Sequence, residues 1–231
     1  MYNILICDDE KDIVNALRIY LEAEGYSTLL AYNGNEAVEV IRDNEVHLAL
    51  LDIMMPECDG ITAMAKIRDF SNIPIILLTA KGEDTDKILG LNVGADDYIT
   101  KPFNPVELIA RVRSQLRRYM KLGGNKATDS EVLTIGAIEL NDSERKVLVD
   151  GDAVSLTPTE YEILKLLMQN AGMVFSPKEI YERVWHDTAY ETDGTVAVHI
   201  RHLREKIEIN PAEPRYLKVV WAHGYKMEKG D

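Results

Sequence analysis

Cysteine is scarce in this 231-residue chain: only Cys7 and Cys58 occur, in no Cys-x-x-Cys spacing, which excludes a disulfide framework and implies reduced thiols. Cys58, although close in sequence to Asp52, is read as an incidental thiol. Long apolar runs are also missing. No stretch approaches the roughly 18 consecutive apolar residues of a membrane span, and no charged-then-apolar leader opens the sequence, so a cytoplasmic protein without membrane contact is expected. A basic excess is lacking too, with 26 Lys and Arg against 39 Asp and Glu and a net charge of −13. Neither half of the chain is basic, which argues against a general binder of polyanions. The final stretch departs from this, because Thr195 to Lys229 carries seven basic side chains against four acidic ones. A local stripe of that kind suffices for phosphate contact.

The composition that remains, 46% hydrophobic and 28% charged, is that of a soluble globular protein long enough for two domains, each with its own core. In the first 120 residues short β-rich runs alternate with helical stripes. The runs are Asn3 to Cys7, Thr28 to Tyr32, Leu48 to Leu51, Ile73 to Leu78 and Tyr98-Ile99. Helical stripes follow at Ile13, Leu17, Tyr20 and Leu21, and at Ala37, Val38 and Ile41. Continuous apolar strands between helices predict a parallel sheet covered on both faces, with ligands outside the carboxyl ends of its strands. Four of the runs end in polar groups: Asp8-Asp9, Asp52, Thr79 and Thr100-Lys101. Three carboxylates held close together stay ionised cheaply only around a hard divalent cation, and Mg²⁺ is the expected one. Asp52 is then a carboxylate nucleophile that needs no general base, Lys101 neutralises a phosphoryl oxygen, and Thr79 donates a hydrogen bond to another.

The motifs Cys7-Asp-Asp-Glu10, Leu51-Asp-Ile-Met-Met-Pro56, Leu78-Thr-Ala80 and Gly94-Ala-Asp-Asp-Tyr-Ile-Thr-Lys-Pro-Phe103 resemble, in order, those of two-component receiver domains with a flavodoxin-like five-stranded parallel sheet. The resemblance implies that a partner sensor histidine kinase phosphorylates Asp52. It implies that Asp9, Asp52 and the Met54 carbonyl ligate Mg²⁺, with Asp8 acting largely through water, and that Thr79 and Tyr98 reorient on phosphorylation. A cis bond between Lys101 and Pro102 is implied as well.

Periodicity stops after Pro105 to Tyr119. Residues 121–131, polar and containing Gly123-Gly124, are read as a linker between domains at 1–120 and 132–231. The second domain is predicted as α+β. Three strands are expected at Val132 to Leu140, Lys146 to Val149 and Asp152 to Leu156. Two helices are announced by Thr157-Pro-Thr-Glu160 and Ser176-Pro-Lys-Glu179, both capping-box sequences. A third spans about Gly194 to Ile209, and a hairpin turning at Ala222-His-Gly224 closes the chain. Three helices and a terminal hairpin make a winged helix-turn-helix. Val196, Ile200, Leu203 and Ile207 would face its core, leaving Ala197, Arg201, Arg204 and His199 toward a major groove, with Thr195 at the start of the helix and Lys218 and Lys226 on the wing. His199 and His202 lie three apart, but no third ligand stands nearby in sequence, so no metal is expected there.

Leu156-Thr-Pro-Thr-Glu-Tyr161, Thr195 to Lys206 and Trp221-Ala-His-Gly-Tyr225 resemble the effector domain of OmpR/PhoB-family response regulators, most closely the VanR type of glycopeptide resistance. That resemblance implies double-stranded DNA and RNA polymerase as partners and control of cell-wall genes. It also implies a phosphorylation-dependent homodimer through Lys87, Ile88, Leu91, Asp96, Asp97, Glu107, Ala110, Arg111 and Arg118. Lys87 would pair with Glu107, Asp97 with Arg111 and Asp96 with Arg118 across a two-fold axis. Two other functions fit parts of the sequence. One is a haloacid-dehalogenase-like Mg-dependent phosphatase, although it would need an acid where Met54 stands. The other is a receiver-based interaction module that does not bind DNA.

Overall fold

The computed structural model describes residues 2–80, 94–121, 132–185 and 193–229. The chain forms two compact units, Met1–Tyr119 and Met120–Asp231. Residues 122–131 of the expected linker, and Lys87, Ile88 and Leu91 of the expected dimer face, lie outside the described residues. Among the described residues no helix is long and apolar enough to cross a membrane.

Unit one runs β1 (Asn3–Cys7), α1 (Lys11–Ala23), β2 (Ser27–Ala31), α2 (Gly34–Asp43), β3 (Leu48–Asp52), α3 (Gly60–Arg68), β4 (Ile75–Ala80), β5 (Asp97–Lys101) and α4 (Pro105–Lys121). The five strands are parallel, in the order β2-β1-β3-β4-β5. Every residue of Leu48–Asp52 is buried, because a central strand with both neighbours paired and both faces covered has no solvent side. Helix α1 buries Val14, Leu17 and Leu21, a stripe centred beside the expected one, since Tyr20 is exposed. Asn33 caps α2 by accepting the Glu36 N–H at 3.0 Å, and Asp59 caps α3 by accepting that of Thr62 at 2.8 Å. These caps end the loops that leave β2 and β3 at the sheet edge where the acids collect.

Unit two begins with a four-stranded antiparallel sheet: β6 (Val132–Ile135), β7 (Ile138–Asn141), β8 (Lys146–Val149) and β9 (Asp152–Val154). The single strand expected over Val132 to Leu140 is therefore two. The three-residue step from Ile135 to Ile138 breaks the period-two alternation, and Gly136 turns the chain with φ 58°. Helices α5 (Pro158–Gln169), α6 (Pro177–Trp185) and α7 (Asp193–Ile207) follow, then the hairpin β10 (Leu217–Val220) and β11 (Gly224–Met227). Both expected capping boxes form. Thr157 and Glu160 exchange backbone-to-side-chain bonds of 2.8 and 3.4 Å, and Ser176 and Glu179 bonds of 2.8 and 3.2 Å. Val196, Ile200, Leu203 and Ile207 are buried in one core with Ile163, Leu164, Phe175 and Leu217, which fixes the outward face of α7.

Candidate functional site

The site of unit one lies where the strand order reverses, between β1 and β3, at their carboxyl ends. The β1/β3 register sets Cys7 opposite Leu51, which brings Asp8 alongside Asp52. The β4/β5 register pairs Thr79 with Thr100 and Ala80 with Lys101, carrying the hydroxyl and the amine to the same edge. Lys101 Nζ reaches Asp8 Oδ2 and Asp52 Oδ1, each at 2.7 Å. Asp8, Asp9 and Asp52 each offer an oxygen within 4.8 Å of the other two. Asp8 and Asp52 are buried while Asp9 is exposed, so the pocket opens to solvent on the Asp9 side.

Two of the three carboxylates, Asp8 and Asp52, share the Lys101 ammonium. Burial pushes the Asp52 carboxyl up to about 6; the Lys101 hydrogen bond and charge draw it back, and Asp8 and Asp9 push it further up. For Lys101, burial acts to lower the pKa, but its bonds to Asp52 and Asp8 outweigh burial and hold the ammonium above its ordinary value. The unbalanced negative charge and all-oxygen donor set fit a hard divalent cation.

Thr79 is buried at the strand edge, and Tyr98 is half-buried one residue past Asp97. The Lys101-Pro102 peptide is cis. The Met54 side chain is exposed, so the position a phosphatase of the rival type would fill with an acid carries no carboxylate. Sequence reasoning missed Gly60. A Cβ at this first residue of α3 would lie 2.1 Å from the Asp52 carbonyl oxygen, so only glycine lets the helix start this close to the nucleophile's backbone. The Asp59-Gly60 pair, an N-cap followed by glycine, was the available signal.

The expected dimer face needs correction. Asp96 is fully buried, accepts Arg68 Nη2 at 2.8 Å and the Ile75 N–H at 3.0 Å, and Arg118 is buried too. Neither stands on an open face; Asp96 ties α3 to the sheet. Asp97 and Arg111 pair within the chain at 2.9 Å, and Arg111 also holds Glu107 at 2.9 Å, while Ala110 is exposed.

On α7 the open face is narrower than expected. Thr195 and His199 are buried, His199 with its ring 5.7 Å from that of Trp185, because their positions turn toward α6 and the core. Ala197 is half-buried and Arg201 exposed, the latter linked to Glu205 at 2.9 Å. Arg204 donates from Nε (3.0 Å) and Nη2 (2.8 Å) to the Leu217 carbonyl, so it anchors β10 to α7. On the wing Lys218 bonds the Pro214 carbonyl and Lys226 pairs with Glu228 at 2.8 Å. Sequence reasoning also passed over Trp221, which is 88% exposed in the wing turn.

A phosphoacceptor-type pocket on a 2-1-3-4-5 sheet, followed by a winged helix, defines a two-part signalling regulator, and the comparisons agree. The response regulator receiver domain model matches residues 4–113, and the model described as transcriptional regulatory protein, C terminal, matches residues 151–227. The chain belongs to the two-component response regulators of the OmpR/PhoB type, with a DNA-binding C-terminal domain. It is 45% identical to the regulatory protein VanR of Enterococcus faecium over 98% of both chains. It is 40% identical to the transcriptional regulatory protein SrrA of Staphylococcus aureus, over 97% of this chain and 95% of that one. Among solved structures, a mutant of RitR covers all of both chains at TM-score 0.77 and 24% identity, a likeness of fold. DrrB of Thermotoga maritima, an OmpR/PhoB homolog, covers 99% of each at 30% identity and TM-score 0.50.

Proposed function

We propose that Asp52 accepts a phosphoryl group from a sensor histidine kinase and that this controls DNA binding by the second unit. The observation that carries the reading is the Lys101 ammonium, 2.7 Å from both Asp8 and Asp52 inside an over-acidic pocket. Receiver domains generally use Mg²⁺ for this chemistry. Asp8, Asp9, Asp52 and the Met54 carbonyl would hold the ion, which supplies charge neutralisation when bound. An Asp52 oxygen attacks phosphorus; the new O–P bond forms as the bond to the donor nitrogen or oxygen breaks, and the donor leaves with its electron pair. Lys101 neutralises one phosphoryl oxygen and Thr79 donates a hydrogen bond to another, with Tyr98 following Thr79 inward.

Phosphorylation favours a homodimer through Glu107, Ala110 and Arg111 together with Lys87, Ile88 and Leu91. The Asp97–Arg111 pair exchanges between chains, and Asp96 and Arg118 keep an internal role. A dimer sets two α7 helices over half-sites about one helical turn apart, strengthening binding by linkage without changing a base contact. Arg201 is the side chain of α7 best exposed for DNA; Ala197 lines the same face, Arg204 supports the wing, and Lys218 and Lys226 approach phosphates. The protein would act in the cytoplasm with RNA polymerase on cell-wall or glycopeptide-resistance genes, the output its VanR resemblance implies. Sedimentation with Mg²⁺ and beryllofluoride tests the coupling. Dimer formation in the wild type and none in Asp52→Ala is expected; an unchanged monomer in both would remove dimerisation from the account.

A further inference from the structure

The C-terminal unit buries a second set of potential ligands that the DNA-binding reading does not use. Glu160 in the first turn of α5 and His199 and His202 on α7 each offer a ligand atom within 4.8 Å of the other two. All three are buried, at 1%, 1% and 7% exposure. The spacing of three puts both imidazoles on one side of α7, and the carboxylate arrives from a helix distant in sequence, which is why the histidine pair looked incomplete when read along the chain.

The two oxygens of Glu160 have different surroundings. Oε2 accepts the Thr157 N–H at 2.8 Å and Lys206 Nζ at 2.6 Å. Oε1 faces His202 Nδ1 at 3.8 Å. That gap is too long for a hydrogen bond. Two donors each about 2.0–2.2 Å from a tetrahedral ion stand roughly 3.3–3.6 Å apart, so this pair has to close slightly to share one. The three ligand atoms all lie within 4.8 Å of one another, so side-chain rotation has to draw them together around an ion. The Thr157 N–H on Oε2 orients the carboxylate as an outer-shell partner orients a metal ligand, with Oε1 beside His202, while the Lys206 ammonium neutralises charge that a metal would otherwise use. Two nitrogens and one oxygen select a borderline transition metal over Mg²⁺, and three protein ligands leave a fourth tetrahedral position for water.

We propose that Glu160, His199 and His202 form a transition-metal site of the zinc type that staples the start of α5 to the middle of α7, separate from the acidic pocket of Asp52. Zinc would thereby fix the helix that carries Arg201. Lys206 competes for the same carboxylate, so the ion pair and the metal are alternatives with opposite responses to mutation.

The test is titration of the full chain with Zn²⁺ alone, in excess Mg²⁺ to occupy the acidic pocket, followed by calorimetry and thermal unfolding. Wild type is expected to take up one zinc that Mg²⁺ does not displace and to unfold at higher temperature with it. His202→Asn is expected to weaken that uptake by more than the roughly 10–100-fold that loss of an outer-shell partner costs. Lys206→Gln is expected to tighten it. Should His202→Asn not fold, His202→Cys decides, because a thiolate preserves ligation. Equal zinc affinity in wild type and His202→Asn, no zinc uptake by wild type, or loss of uptake in folded His202→Cys would each overturn the site and leave a buried ion pair.

Discussion

In the first unit three carboxylates, Asp8, Asp9 and Asp52, crowd together and the Lys101 ammonium pairs with Asp8 and Asp52; in the second, Asp142 is met by the Tyr161 hydroxyl at 2.9 Å, Lys165 at 2.8 Å and Arg145 at 3.5 Å. The first cluster sets one described ammonium against three carboxylates, whereas in the second Arg145 also pairs with Glu162 at 2.9 Å, so two cations match two carboxylates. Their carboxyls respond in opposite directions. For Asp52 burial wins and the carboxyl rises to about 6; for Asp142 burial also acts upward, but the bonds from Lys165 and Tyr161 and the charge of Arg145 hold it below its ordinary value. A site kept short of positive charge is poised to take up a cation and a phosphoryl group, whereas a satisfied one holds a sheet against a helix. Perturbation with unmatched charge marks function, and perturbation with matched charge marks structure.

The contrast can be broken most severely at Lys101. Lys101→Ala removes the ammonium bonded to Asp8 and Asp52, and phosphate incorporation from a small-molecule donor should fall to background while the second unit still binds DNA without phosphorylation. Incorporation near the wild-type rate would show that Lys101 is only a structural counter-ion.

Asp52→Asn sharpens the comparison through stability. Because the folded carboxyl titrates near 6 and the ordinary value is 3.8, the folded chain binds more protons between those values. Stability therefore falls as pH rises through that window, and the cost is fully present above about 6. In Mg²⁺-free solution Asp52→Asn should be more stable at pH 7 by up to about 3 kcal/mol, taking 1.36 kcal/mol per pKa unit, with the advantage gone by about pH 4. Urea unfolding of both proteins across that range measures it. A wild type that is the more stable at pH 7 would contradict the unbalanced pocket.

Gly60→Ala attacks the pocket's frame instead of its charge. The added methyl meets the Asp52 carbonyl, so a loss of about 1–3 kcal/mol by chemical denaturation is expected, with slowed phosphorylation. No change in either would mean that α3 shifts freely.

Arg201→Ala should weaken operator binding by about 1–3 kcal/mol without altering phosphorylation, read by titration at fixed salt. Trp221 offers a parallel readout. It is exposed while Trp185 is buried, so emission quenched by DNA and lost in Trp221→Phe would place the wing on the duplex.

The smallest effect belongs to Asp142. Its folded pKa is depressed, so it contributes stability above the ordinary 3.8 that is lost as pH falls through the folded value. Asp142→Asn should be less stable than wild type at pH 7, with the deficit lost once Asp142 of the wild type is protonated in both its folded and unfolded states, the reverse of Asp52→Asn.

Much of this was legible in the residues. The fully apolar Leu48 to Leu51, the acids and lysine at strand ends, and both capping boxes follow from local rules, and the fold repeats them. The pairing of Val132 to Leu140 was misread because one glycine turn hides inside an alternating apolar run, betrayed only by the three-residue step to Ile138. Burial of Thr195, His199, Asp96 and Arg118 was not legible either, and for His199 and Asp96 it is decided by an element remote in sequence. His199 meets Trp185 of α6, and Asp96 meets Arg68 of α3. Period along one helix shows which residues share a face; it does not show how much of that face a neighbouring helix covers.

Whether Asp52 is the phosphoacceptor is decided by the mass of the intact protein after treatment with Mg²⁺ and a small-molecule phosphodonor, wild type beside Asp52→Asn. One added phosphoryl group is expected on the wild type and none on the variant. The same addition on both would place the acceptor elsewhere and contradict that assignment.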